Sequence, residues 1–196
     1  MGCKVKKFFI QYNSPAVLTF SVLSLLALIL GMATDHETTR RFFSVYTSSF
    51  TDPFAYIRIF GHVLGHYDFE HFMNNFLIIL LIGPMLEEKH GAKNMLYMFI
   101  LTALITGIVQ IIFFDTMLLG ASGIVFMLMI LAGFVSMERG RIPLTLILVI
   151  VIFLGREFFW GVTVEDTISR VTHIIGGIIG VILGFILHKN SLFPAK

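Results

Sequence analysis

Six apolar stretches, each close to 20 residues long, divide this chain at about 14–33, 69–86, 94–114, 119–137, 142–160 and 168–188. An α-helix rises about 1.5 Å per residue, so roughly 20 apolar residues cross the ~30 Å hydrocarbon core of a bilayer. Six such stretches in 196 residues leave little chain for anything else. Only 13% of the residues are charged and 57% are hydrophobic, with a mean hydropathy of +0.90. A soluble domain carries about 25% charged residues, and this chain has too few polar groups to cover a water-exposed surface. The expected fold is an all-α membrane protein of six transmembrane helices forming a single domain over residues 1–196. The 34–68 segment becomes a long structured outer loop between helices 1 and 2. A connection of that length inside a compact protein is usually functional, and its "RRFFSVYTSSF" reads as an interfacial segment. The first stretch is read as a retained span, being too long for a removable signal peptide.

Charge bears on orientation and partners. The formal net charge of +2 comes with no basic patch beyond the membrane flanks, so no nucleic-acid partner is expected. With the N-terminus inside, nine basic residues flank the inner ends of the spans: Lys4, Lys6, Lys7, Lys89, Lys93, Arg139, Arg141, Lys189 and Lys196. Five lie outside: Arg40, Arg41, Arg58, Arg156 and Arg170. Basic residues set topology, which places both termini in the cytoplasm and the protein in a cell membrane. Cys3 is the single cysteine and excludes an intrachain disulfide. Met1-Gly2-Cys3 resembles the start of an acylation signal, but Lys6 stands where Ser or Thr is required.

Polar groups at membrane depth are costly and default to functional suspects. Three clusters stand out. "GHVLGHYDFEHFMNN" carries His62, His66, His71, Asn74 and Asn75 at the mouth of the second span. Gly120-Ala121-Ser122-Gly123 opens the fourth span, and His173 opens the sixth within "THIIGGIIGVILG". Gly176, Gly180 and Gly184 follow His173 at intervals of four, a small-residue stripe that lets a neighbouring helix approach closely. Alone, that stripe is simply packing and Ser122 is simply a small residue. Together, Ser122 and His173 sit at similar depth on spans that the glycines draw close. A serine becomes a nucleophile when an imidazole takes its proton. His71 and Asn75 lie four apart on one helix face, where with the Ser122 N–H they can stabilise an oxyanion. For His62 and His66 the plainer reading, holding the 34–68 loop, is preferred.

Other chemistries fit less well. His62, His66, Asp68, Glu70 and His71 include possible metal ligands, but no H-E-x-x-H helix is present. Asp115 and Asp166 fall in outer loops, which disfavours a paired-aspartate site. The reading therefore calls for no metal and no cofactor.

The order His66-x4-His71-x3-Asn75, then Gly120-Ala121-Ser122-Gly123, then His173-x2-Gly176 resembles the rhomboid family of intramembrane serine proteases. The likeness covers about residues 14 to 188. It implies a Ser122–His173 dyad with no third acid, and an oxyanion held by His71, Asn75 and the Ser122 N–H. It implies that Arg58 and Glu87 brace the outer loop and the inner end of span two. Two positions depart from the family pattern. Ile57 replaces the Trp of a Trp-Arg pair, implying looser loop anchoring. Phe126 replaces a Tyr that stacks on the catalytic His, so the ring face is kept and the hydroxyl lost. The expected partners are transmembrane protein substrates and the lipid bilayer; the oligomeric state is not legible. The rival reading is a non-catalytic binder of transmembrane helices. Phe158, Phe159 and Trp160 end the fifth span as an interfacial aromatic belt, or as a gate for substrate.

Overall fold

In the computed structural model, residues 11–49, 51–137, 141–160 and 167–192 are described. Met1-Gly2-Cys3, the lysines at 4, 6 and 7, Glu138, Arg139, Asp166 and Lys196 lie outside them, as do the side chains of Arg156, Phe158, Phe159, Trp160 and Lys189. Eight α-helices run in chain order through these residues: α1 (Pro15–Ala33), α2 (Glu37–Phe42), α3 (Pro53–Gly61), α4 (Phe69–His90), α5 (Ala92–Phe113), α6 (Ser122–Gly133), α7 (Leu144–Trp160) and α8 (Thr167–Leu192). A 3-10 turn, Phe134–Ser136, follows α6, and no strand is formed among the described residues.

Helix starts follow local chemistry. Pro15 and Pro53 open α1 and α3, where the missing N–H costs nothing and the fixed φ suits a first turn. The carboxylates of Asp52 and Asp68 accept from the N–H groups of Phe54 and His71 at 2.9 and 2.7 Å, satisfying orphan donors at the starts of α3 and α4. Gly91, at φ +82°, separates α4 from α5; a left-handed backbone there is cheap only for glycine.

Among the described residues, four helices are long and apolar enough to cross a membrane: α1, α4, α5 and the 170–188 part of α8. Helix α6 has only 12 residues, about 18 Å at the standard rise, and α7 has 17. The short α6 is closely enclosed, with Gly123 through Leu128 all buried. A helix apolar all round belongs in the interior. Its N-terminus, at Ser122, therefore begins inside the body of the protein.

The 34–68 connection holds α2 and α3 and does not lie free along a surface. Val45 is fully buried and forms an antiparallel bridge with Leu118, their N–H groups donating reciprocally at 2.8 and 2.9 Å. A segment pinned by backbone hydrogen bonds belongs to the body, so the "RRFFSVYTSS" stretch is docked through Val45, while Arg40, Arg41, Thr47 and Ser49 stay exposed.

The most extensive helix pair is α6 with α8. A methyl group on Gly176 would strike the carbonyl oxygen of Gly123. On Gly180 it would come within 2.6 Å of the Met127 oxygen, and on Gly184 within 2.5 Å of the Phe134 ring. Lipid tails are as apolar as leucine, so close backbone approach rather than hydrophobic burial drives such pairing.

Candidate functional site

The turn before α6 is fixed from two sides. Leu118 is bridged to Val45, and two residues on the Gly120 N–H donates to the His62 carbonyl at 2.9 Å. Gly120 adopts φ +120°, and a Cβ there would sit 2.8 Å from both Cε1 and Nε2 of His71. Glycine is thus required twice, for its backbone angle and for the room it leaves an imidazole. His71 comes to rest against the chain two residues before Ser122.

Asn75, one turn further along α4, is buried and donates through Nδ2 to the His71 carbonyl at 2.9 Å. Asn carries two amide hydrogens, and this bond engages one. His66 is 1% exposed and packs edge-on against the rings of His71, Phe72 and Phe76 at 5.0–5.5 Å. Its Nδ1 lies 3.2 Å from the Leu64 carbonyl. His62 is equally enclosed, with Nδ1 2.9 Å from the Ile59 oxygen and Nε2 3.2 Å from Thr106 Oγ1. Burial pushes His62 down to about 4 and His66 to about 3, the latter aided by its neighbour His71. Both imidazoles are neutral at ordinary pH. Together they serve as scaffold beneath the 115–121 turn.

The other wall is α8. Gly176 lies on the Gly123 backbone, and Thr172 Cγ2 would be 3.2 Å from a Cβ on Gly123. His173, three residues before Gly176, places its ring 4.3 Å from that of Phe126 at 41°. The phenylalanine in the place of the family's tyrosine thus meets the imidazole with its ring. Ser122 and His173 are both half-buried, on the first residue of α6 and on the α8 turn facing it. The first N–H groups of any helix lack intrahelical partners and carry the positive end of its dipole. At α6 those belong to Ser122, Gly123 and Ile124.

A rhomboid-domain family model matches residues 53–190, which include His62, His66, His71, Asn75, Gly120, Ser122, His173 and Gly176. The chain belongs to the rhomboid family. Curated relatives include the Rhomboid protease GlpG of Salmonella paratyphi A (strain ATCC 9150 / SARB42) and that of Salmonella newport (strain SL254). Each is 28% identical over 139 residues, covering 68% of this chain and 49% of the relative. The chain therefore spans about half the length of the curated relatives it matches. Membership and the four long apolar helices make this rhomboid an integral, multi-pass membrane protein.

Two supports that the family resemblance implied take definite form. Arg58, 2% exposed, donates to Ser48 Oγ and Asp52 Oδ2 at 2.7 Å each and lies 4.3 Å over the Tyr46 ring. Its guanidinium holds the Asp52 carboxyl below the usual carboxylate range. Ile57 beside it is half exposed, so loop anchoring here runs through the arginine. Glu87 accepts from the Ala16 and Val17 N–H groups at 2.9 Å each, capping α1 from the far end of α4.

Sequence reasoning passed over Thr102, Thr106 and Gln110, which form a buried polar stripe on α5. Thr106 meets His62, and Gln110 Nε2 donates to the Thr116 carbonyl at 2.7 Å in the turn before α6. Their spacing of four inside an apolar span was the available signal.

Proposed function

We propose that this rhomboid-family chain is a serine endopeptidase that cleaves transmembrane proteins within or beside their membrane-spanning segments. The observation that carries the reading is the seating of Gly176 on Gly123, which sets the turn bearing His173 against the helix start bearing Ser122. In this reading His173 accepts the Ser122 hydroxyl proton as Oγ bonds to the scissile carbonyl carbon. Negative charge then develops on the carbonyl oxygen. The Ser122 N–H, aided by the dipole of α6, and the side chains of His71 and Asn75 stabilise it. His173 returns the proton to the departing amine as the peptide C–N bond breaks. Water then attacks the acyl-enzyme ester by the same route, with the imidazole again acting as base and then acid. No metal or cofactor takes part.

A substrate helix hides its carbonyls in its own hydrogen bonds, so it must unwind near the site. Gly, Pro or small residues lower that cost, which favours substrates with small residues at the cut. The same reading completes the topology as one domain of six spans, with α6 and α7 as the fourth and fifth. Both termini then face the cytoplasm from a cell membrane.

A fluorophosphonate serine probe applied to the detergent-solubilised protein tests the class. Labelling of wild type that vanishes in Ser122→Ala, with the helical spectrum unchanged, is the expected result. Absence of labelling in folded wild type would instead leave a non-catalytic binder of transmembrane helices.

A further inference from the structure

Away from the α6–α8 contact, α1 and α5 leave between them an apolar groove of about 550 Å³. Leu23 and Leu96 belong to its walls, and Phe60 and Leu64 roof one end. Lys93 sits at the other end, beside Pro15 and Ala16 at the start of α1. The groove follows α5 from Ala92 to Ala103, roughly 16 Å at the standard helical rise. The hydrocarbon core is ~30 Å thick, so the groove is one leaflet deep. Two tyrosines mark its polar end. Tyr97 lies 5.7 Å beneath the Lys93 ammonium, and Tyr12 bonds the hydroxyl of Thr19 at 2.8 Å; both rings are well exposed. Tyrosine concentrates at headgroup level.

The exposed Lys93 ammonium at headgroup level over an apolar slot of leaflet depth matches the form of a phospholipid. We infer that this groove binds one acyl chain of an anionic phospholipid from the leaflet on the Lys93 side, with the headgroup phosphate paired to the Lys93 ammonium. The lipid would act on more than its own groove. Its roof includes Phe60, Val63 and Leu64, between which His62 holds the Gly120 N–H. An occupied groove supports the scaffold that sets the turn before α6. This binding does not depend on the protease reading and is measured without any substrate.

The experiment is native mass spectrometry of the full chain in detergent, with equal amounts of dioleoyl phosphatidylglycerol and dioleoyl phosphatidylcholine. A basic residue near the membrane surface is worth about 1 kcal/mol toward anionic lipid, so phosphatidylglycerol is expected to be retained about five-fold over phosphatidylcholine. Lys93→Gln, a change at an exposed position, should bring that ratio close to one. Leu96→Trp fills the slot and should lower retention of both lipids. Equal retention of the two lipids by wild type overturns the inference, as does a ratio unchanged in Lys93→Gln. A folded Leu96→Trp protein with wild-type retention also overturns it, by placing the lipid elsewhere. Should Leu96→Trp fail to fold, the Lys93→Gln ratio decides.

Discussion

Gly176 of α8 rests its Cα face against the carbonyl oxygen of Gly123 in the first turn of α6. No side chain stands between the two backbones, and a carbonyl oxygen cannot rotate aside as a flexible side chain can. The relationship fixes how near His173, one turn earlier, comes to Ser122, one residue earlier. Gly176→Val should therefore separate the helices. Overpacking of this kind costs about 1–3 kcal/mol, and fluorophosphonate labelling of Ser122 should fall with it. Thermal unfolding and labelling measured together check this. A valine variant with wild-type labelling would show that α6 and α8 are held elsewhere.

His71→Ala and Asn75→Ala should each lower kcat far more than they raise KM. One oxyanion donor is typically worth about 3 kcal/mol, less where several share the charge. Asn75 also spends one amide hydrogen on the His71 carbonyl, so its loss disturbs His71 as well and the two effects should not add. Steady-state kinetics on a single-span substrate decide. Raised KM at constant kcat in both variants would assign these residues to substrate binding instead.

Gly120→Ala joins a strained backbone to a steric conflict, since φ is +120° and the new methyl group would meet the His71 ring. Strain at such a position costs about 1–3 kcal/mol. Activity should fall more than stability, because the displaced groups are His71 and the turn entering α6. If stability and activity fell in proportion, Gly120 would matter to the fold alone.

Local patterns in the sequence marked the elements well. The stretches at 14–33 and 94–114 correspond closely to Pro15–Ala33 and Ala92–Phe113, and the stripe of Gly176, Gly180 and Gly184, readable from its spacing of four, packs on α6 and the turn after it. The span read at 119–137 is a 12-residue α-helix from Ser122 continued by the 3-10 turn Phe134–Ser136; it starts late because hydropathy does not register that Gly120 and Ala121 are turn residues. The tie between Val45 and Leu118, and the capping of Ala16 and Val17 by Glu87, join residues about 70 apart in the chain. Long-range hydrogen bonds of this kind leave no local periodicity. Glu87 was picked out only through the family resemblance.

Glu87→Ala should loosen α1 from the rest of the protein. The carboxylate, 4% exposed, serves two N–H groups at 2.9 Å, and hydrogen bonds to charged groups are worth about 1.5–3 kcal/mol each. The loss should reach several kcal/mol, while Glu87→Gln, keeping one acceptor oxygen, should lose about half as much. Unfolding by a titrated denaturing detergent gives the comparison. Equal stability of the alanine variant and wild type would remove the cap as a support.

Acidification should weaken the fold through the two buried scaffold histidines. Their folded values lie at about 4 for His62 and about 3 for His66, against an ordinary value near 6.5. A depressed imidazole means that the unfolded chain binds the proton first, so stability is fully present above pH ~6.5 and declines as pH falls. Each histidine contributes a slope of up to about 1.4 kcal/mol per pH unit between its folded and unfolded values. The decline should level off near pH 4 for His62 and near pH 3 for His66, where the folded protein takes up the proton too. His62→Gln and His66→Phe should each flatten the curve. Because neither histidine titrates near neutrality in the folded protein, neither sets the pH dependence of turnover. The midpoint of kcat/KM against pH should therefore be the same in both variants as in wild type. A midpoint that vanished with either substitution would place the controlling proton in the scaffold rather than on His173 or His71, and the dyad account of the rate profile would fail.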